Sequence, residues 1–139
     1  MPLLMTECNQ FLATHGITAV YLFGSRAAGL EHASSDYDLA FLFAEYHPSE
    51  HDLSLRLTLA EELSQRLGER VDLVFLQGAS ILMRFEVVAT GKVVYCTNDA
   101  FRTDFEDIAY RDYLDFKPFM DQYYRDEAEA VKSGHFFKS

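Results

Sequence analysis

Cysteine is scarce in this chain of 139 residues: Cys8 and Cys96 are the only two, and they form no Cys-x-x-Cys pair. That argues against a disulfide framework and leaves reduced thiols in a cytosolic protein as the expectation. Positive charge is scarce too, with 12 Lys and Arg against 22 Asp and Glu and a formal net charge of −10. Non-specific binding to DNA or RNA needs cations to displace condensed counterions, so no direct nucleic-acid binding is expected. A basic protein partner or divalent cations suit this balance better. No apolar run approaches the roughly 20 residues that span a bilayer. Residues 1–10 lack a basic stretch and are interrupted by Glu7, so neither a membrane segment nor a signal peptide is expected, and the location expected is cytoplasmic. Repeats, low-complexity tracts and flexible linkers are missing as well.

What is present is core material. Hydrophobic residues make up 49% and aromatics 14% of the chain, which excludes general disorder. The length is that of one domain with a real core, 1–139, without an internal boundary. Leu3, Leu4, Phe11 and Leu12 suggest an opening helix that ends near His15, with Gly16 as its capping glycine. Ile17 to Phe23 reads as a buried strand, and Asp36 to Phe43 as a second, central one, apolar on both faces after Asp38. Ser49 is the predicted N-cap of a helix with Asp52 at its third position, and Leu53, Leu57, Ala60, Leu63 and Leu67 form its apolar stripe before Gly68.

Val71 to Leu76 is the third predicted strand, and Ser80 starts a helix that Gly91 ends. Val93 to Tyr95 is a short fourth strand. A catalytic core of about 17–96 is then followed by a helical segment over about 99–133, in which Pro118 permits a break or kink at Lys117. The order predicts an α+β (mixed α/β) fold with helices packed on a small mixed sheet.

One stretch carries chemistry. Gly24-Ser25-Arg26 follows the first strand, and ten residues separate Ser25 from Asp36-Tyr37-Asp38. Gly24 allows a close backbone approach, Ser25 offers an N–H and a hydroxyl to phosphate oxygens, and Arg26 can bind a triphosphate or a leaving pyrophosphate. Asp36 and Asp38, two apart on a strand, leave the same face, with Cα atoms about 6.6 Å apart, so both carboxylates can reach one Mg²⁺ or bracket two. Such a pair of ions suits in-line nucleotidyl transfer.

Gly-Ser alone is an ordinary turn dipeptide, and Asp-x-Asp alone is an ordinary loop edge. Gly-Ser-x10-Asp-x-Asp together arises by chance in roughly one chain of this length in several hundred. Asp72 interrupts the third strand, and a carboxylate among apolar residues there is either an edge-strand residue facing water or a third acid of the site. The five histidines show no paired metal spacing and read as exposed loop residues. The Leu53 to Leu67 stripe is core packing. The aromatics from Tyr110 to Tyr124 are helix-packing material first, and an interaction surface second.

Gly24, Ser25, Asp36 and Asp38 resemble the signature of the DNA polymerase β-like nucleotidyltransferase superfamily, and the compact size is similar to its minimal nucleotidyltransferase branch, antitoxins paired with HEPN-domain toxins. The specific motifs lie within about Ile17 to Leu76. The resemblance implies a polymerase β palm-like fold, Mg²⁺ held by Asp36, Asp38 and Asp72, and ATP as co-substrate. Where relatives often carry a second Arg after Ser-Arg-Ala, this chain has Ala28, which removes any contact made by that residue.

The implied activity is transfer of AMP to a hydroxyl, on a tyrosine, of a cognate HEPN ribonuclease toxin in a hetero-oligomer. Elimination agrees on a protein acceptor: the acidic chain lacks a basic nucleic-acid surface, and only about 40 residues follow Asn98, too few for the helical domain of an antibiotic adenylyltransferase. Two alternatives stand beside it: an antitoxin that only binds and occludes its toxin, and an aminoglycoside-type small-molecule adenylyltransferase.

Overall fold

The computed structural model describes residues 7–24 and 37–132. In chain order its elements are α1 (Asn9–Thr14), β1 (Ile17–Phe23), β2 (Tyr37–Phe43), α2 (Leu53–Leu67), β3 (Val71–Phe75), a 3-10 turn (Leu76–Gly78), α3 (Ile81–Thr90), β4 (Lys92–Cys96) and α4 (Asp99–Lys132). The sheet has four strands in the order β3-β2-β1-β4. β2 pairs antiparallel with β1 and parallel with β3, and β1 pairs antiparallel with β4. The protein is thus a mixed α+β fold, with β1 and β2 central, as their apolar faces require.

Alternation along the central strands splits the core in two. Val20, Leu22, Leu39, Phe41 and Phe43 face one way and pack with Phe11, Leu12, Leu59 and Leu63, so α1 and α2 cover that side. Ala19, Tyr21, Ala40 and Leu42 face the other way, toward Val87 of α3 and Phe101 and Phe105 of α4. The parallel β2–β3 pair needs a crossover, and α2 supplies it.

One helix end differs from the sequence-based expectation. The N-cap of α2 is Asp52, whose side chain accepts from the Leu55 N–H, and Ser49 lies in the preceding turn. Aspartate caps as well as serine, and the apolar stripe begins only at Leu53. At α1 the expectation holds: Gly16 stands one residue past the His15 C-cap at φ +70°, the left-handed capping glycine. Leu3 and Leu4, which the sequence places in the opening helix, lie outside the described residues.

Pro118 does not divide the C-terminal region, because α4 runs through it as one helix of 34 residues. Proline removes one N–H donor there, but the following turns keep their own hydrogen bonds. His15 and His51 are half-buried rather than exposed: His15 meets the Phe11 ring edge at 4.8 Å and His51 lies 4.3 Å from the Phe43 ring. His32 and His135 lie outside the described residues. No helix among the described residues is long and apolar enough to cross a membrane.

Candidate active site

β1 ends at Phe23, and Gly24 follows at φ +77°, a backbone conformation that side chains resist. A Cβ on Gly24 would collide with the carboxylate of Asp38. The strand register explains this proximity, because Phe23 is the cross-strand partner of Asp38. Glycine is therefore required here twice, for the turn and for the space that Asp38 occupies.

On its other side Asp38 pairs with Asp72 in the parallel β2–β3 ladder. Ladder partners share a face, and neighbouring strands lie about 4.8 Å apart, so the two carboxylates stand side by side. Ala40, Leu42 and Val74 place that face on the side covered by α3 and α4. Asp38 is half-buried and Asp72 exposed, on a strand whose other residues are buried or half-buried. Asp72 is thus both an edge-strand residue and a neighbour of the Asp-x-Asp motif. Ser25, Arg26 and Asp36 lie outside the described residues.

Two aspartates one strand apart repel each other, and a cation between them relieves the repulsion. Their oxygens are hard donors of the kind Mg²⁺ takes. Among the described residues no third acid joins them in a metal-holding group.

Behind this row sits a polar network that the sequence reading missed. Tyr21, 1% exposed and on the same face, donates its hydroxyl to Glu106 Oε2 at 2.6 Å. Arg102 donates to the same oxygen at 2.8 Å and to Asp99 Oδ1 at 3.3 Å. Burial, reinforced by the Glu106 carboxylate, pushes the Tyr21 pKa far above its usual value. The Arg102 pKa is raised too: burial alone lowers it, but hydrogen bonds to Glu106 and its neighbours outweigh that. A tyrosine on a fully buried strand face must find a partner for its hydroxyl, and that was the available signal. The network fastens α4 to β1 beneath the aspartate row.

Gln77 is a second residue missed. Its side-chain amide accepts from the Phe43 N–H at 3.1 Å and donates to the Phe43 carbonyl at 2.6 Å, completing the end of β2 as a further strand would.

Known proteins are similar to this chain in both sequence and fold. A polymerase β nucleotidyltransferase family model matches residues 6–100. The protein adenylyltransferase MntA of Shewanella oneidensis is 40% identical over 78 residues, which cover 56% of this chain and 53% of that protein, so the match spans about half of its length. A crystal structure of a toxin–antitoxin with AMP-PNP superposes with a TM-score of 0.75 at 28% identity, over 87% of this chain and 95% of that one. The structure of a tri-AMPylated Shewanella oneidensis HEPN toxin in complex with its MNT antitoxin gives a TM-score of 0.72 at 26% identity, over 91% and 98% of the two chains. From the match across residues 6–100 and the strand geometry that sets Gly24 against Asp38, the chain belongs to the polymerase β nucleotidyltransferase family.

Proposed function

We propose that this chain transfers AMP from ATP to a hydroxyl, on a tyrosine, of a cognate HEPN-domain toxin, and so neutralises it as an antitoxin. The observation that carries the reading is the Asp38–Asp72 pair beside Gly24 at the end of the sheet. Family membership supplies the reaction class. The names of the similar proteins, an adenylyltransferase and an antitoxin with its AMPylated toxin, support protein as the acceptor.

In this reading Gly24, Ser25 and Arg26 would seat the triphosphate, while Asp36, Asp38 and Asp72 would hold Mg²⁺. Bound cations would neutralise charge on the α-phosphate and the departing pyrophosphate. The acceptor oxygen attacks the α-phosphorus, the bond to pyrophosphate breaks, and Asp72, open to solvent at the sheet edge, takes the hydroxyl proton. The chain's main contribution is positioning and a preorganised field.

The test is incubation with α-labelled ATP, Mg²⁺ and the protein encoded in the neighbouring reading frame. Label on that protein, lost with Asp38→Asn, is the expected result. Neutralisation of the neighbour by Asp38→Asn without label would instead make the chain an occluding binder. Label on an aminoglycoside with no protein present would make it a small-molecule enzyme.

A further inference from the structure

Along most of its length α3 packs on α4: Phe85 stacks on Tyr113 with ring centroids 3.7 Å apart and meets Tyr110 edge-on at 5.6 Å. Beyond that stack the two helices part company. At about 1.5 Å per residue, α3 is roughly 15 Å long and α4 roughly 51 Å, so α4 overhangs. Between the start of α3 and this overhang lies a groove of about 580 Å³ walled by Ile81, Leu82, Phe116, Phe119, Met120 and Tyr123. Phe119 is 70% exposed and Tyr123 60%. Large aromatics left in water at this density mark a surface built to be covered.

Charge says what covers it. α4 carries ten acids and five bases between Asp99 and Lys132. Asp112 and Asp115 line the cleft that continues the groove beside Ile81, Phe116 and Phe119. Neither has a hydrogen-bond or ion-pair partner among the described residues. A second copy would bring two helices of net −5 face to face, which Coulomb repulsion opposes. A partner with apolar side chains flanked by Lys or Arg would satisfy both the groove and its rim. α3 and α4 cover the sheet face that carries Asp38 and Asp72, so a partner seated here lies on the side of the acidic pair.

We propose that this groove docks an amphipathic helix of the protein acceptor, with apolar residues in the groove and basic residues against Asp112 and Asp115. The inference rests on the reading that the acceptor is a protein.

The experiment measures binding of the neighbouring reading frame's product to the full chain by titration calorimetry at low and moderate salt. Tested beside wild type are a Phe119→Glu, Tyr123→Glu double variant, an Asp112→Asn, Asp115→Asn double variant, and Leu57→Glu on the exposed side of α2 as a control. Each variant's thermal unfolding and affinity for ATP with Mg²⁺ are also recorded.

The expected result is a loss of about 100-fold in partner affinity for the aromatic variant, with folding and nucleotide affinity unchanged and Leu57→Glu at wild-type strength. The asparagine variant should bind with weaker salt dependence. Unchanged partner affinity in the aromatic variant would overturn the proposal, as would a wild type that does not bind the neighbour. A wild-type dimer that the aromatic variant dissolves into monomers would assign the groove to a second copy instead. Tight groove-dependent binding without transfer of label would sink the enzymatic reading and leave the docking site standing.

Discussion

The Asp38 carboxylate occupies the space where a side chain on Gly24 would begin. Glycine in this motif therefore serves the metal-ligand candidate as well as the proposed phosphate seat. Substituting Gly24→Ala places a Cβ at φ +77° and pushes Asp38 aside. The expected cost is about 1–2 kcal/mol of stability in urea unfolding, together with a fall of at least about tenfold in transfer, because a small misplacement near the reacting groups is amplified in rate.

Asp72 faces solvent at the sheet edge, so its removal leaves the core untouched. Asp72→Asn should unfold at or slightly above the wild-type temperature, since it removes one of two neighbouring charges, and lose at least about 100-fold in AMP transfer, the usual contribution of a positioned base. Single-turnover labelling of the partner measures the second effect and circular dichroism melting the first. Wild-type transfer by this variant would return Asp72 to the status of a solvated edge residue.

The buried Tyr21 hydroxyl sets a limit at alkaline pH. Its pKa is raised in the folded state by burial and by Glu106, so the native chain keeps a proton that the unfolded chain releases near pH 10. The stability this contributes is complete below about pH 10 and falls as pH rises above it. Tyr95, raised in the same direction by burial, adds to the fall. Urea unfolding between pH 8 and 11 should show a steep decline for wild type and a shallower one for Tyr21→Phe, which should also lose about 1 kcal/mol at neutral pH.

Gln77 finishes the ladder at the end of β2 remote from Asp38. Gln77→Ala leaves the Phe43 amide and carbonyl without those bonds, and should cost about 1–3 kcal/mol while transfer at low temperature is retained. Chemical denaturation and labelling on the same preparation separate the two.

The strand cores and the order of elements were readable because each depends on local alternation and on glycine punctuation. Asp52 was misplaced within its helix because serine and aspartate cap equally well, and only the Leu55 N–H decides between Ser49 and Asp52. Pro118 was overread: the residue forbids a hydrogen bond, not a helix. The Asp38–Asp72 pairing could be suspected from a carboxylate interrupting the apolar third strand, but the parallel register that makes them neighbours depends on a crossover of 27 residues, 44–70, whose return point no local pattern fixes. Tyr21 stands 85 residues before Glu106, the helical neighbour of Arg102, and a lone hydroxyl in an apolar strand does not name so distant a partner.

The parallel ladder between β2 and β3 also governs how this protein can vary. Chain may lengthen or shorten in the crossover's loops, at the turn before Asp52 for instance, and the two acids still meet as long as α2 keeps Leu59 and Leu63 on the sheet and the ladder re-forms. Deleting Asp72 itself does the reverse: the side chains after it change faces, and a hydrophobic neighbour takes the place opposite Asp38. Tolerance to length changes should therefore be high in the loop before Asp52 and lost within β3, so a deletion scan read by activity would trace the strands that carry the acidic pair.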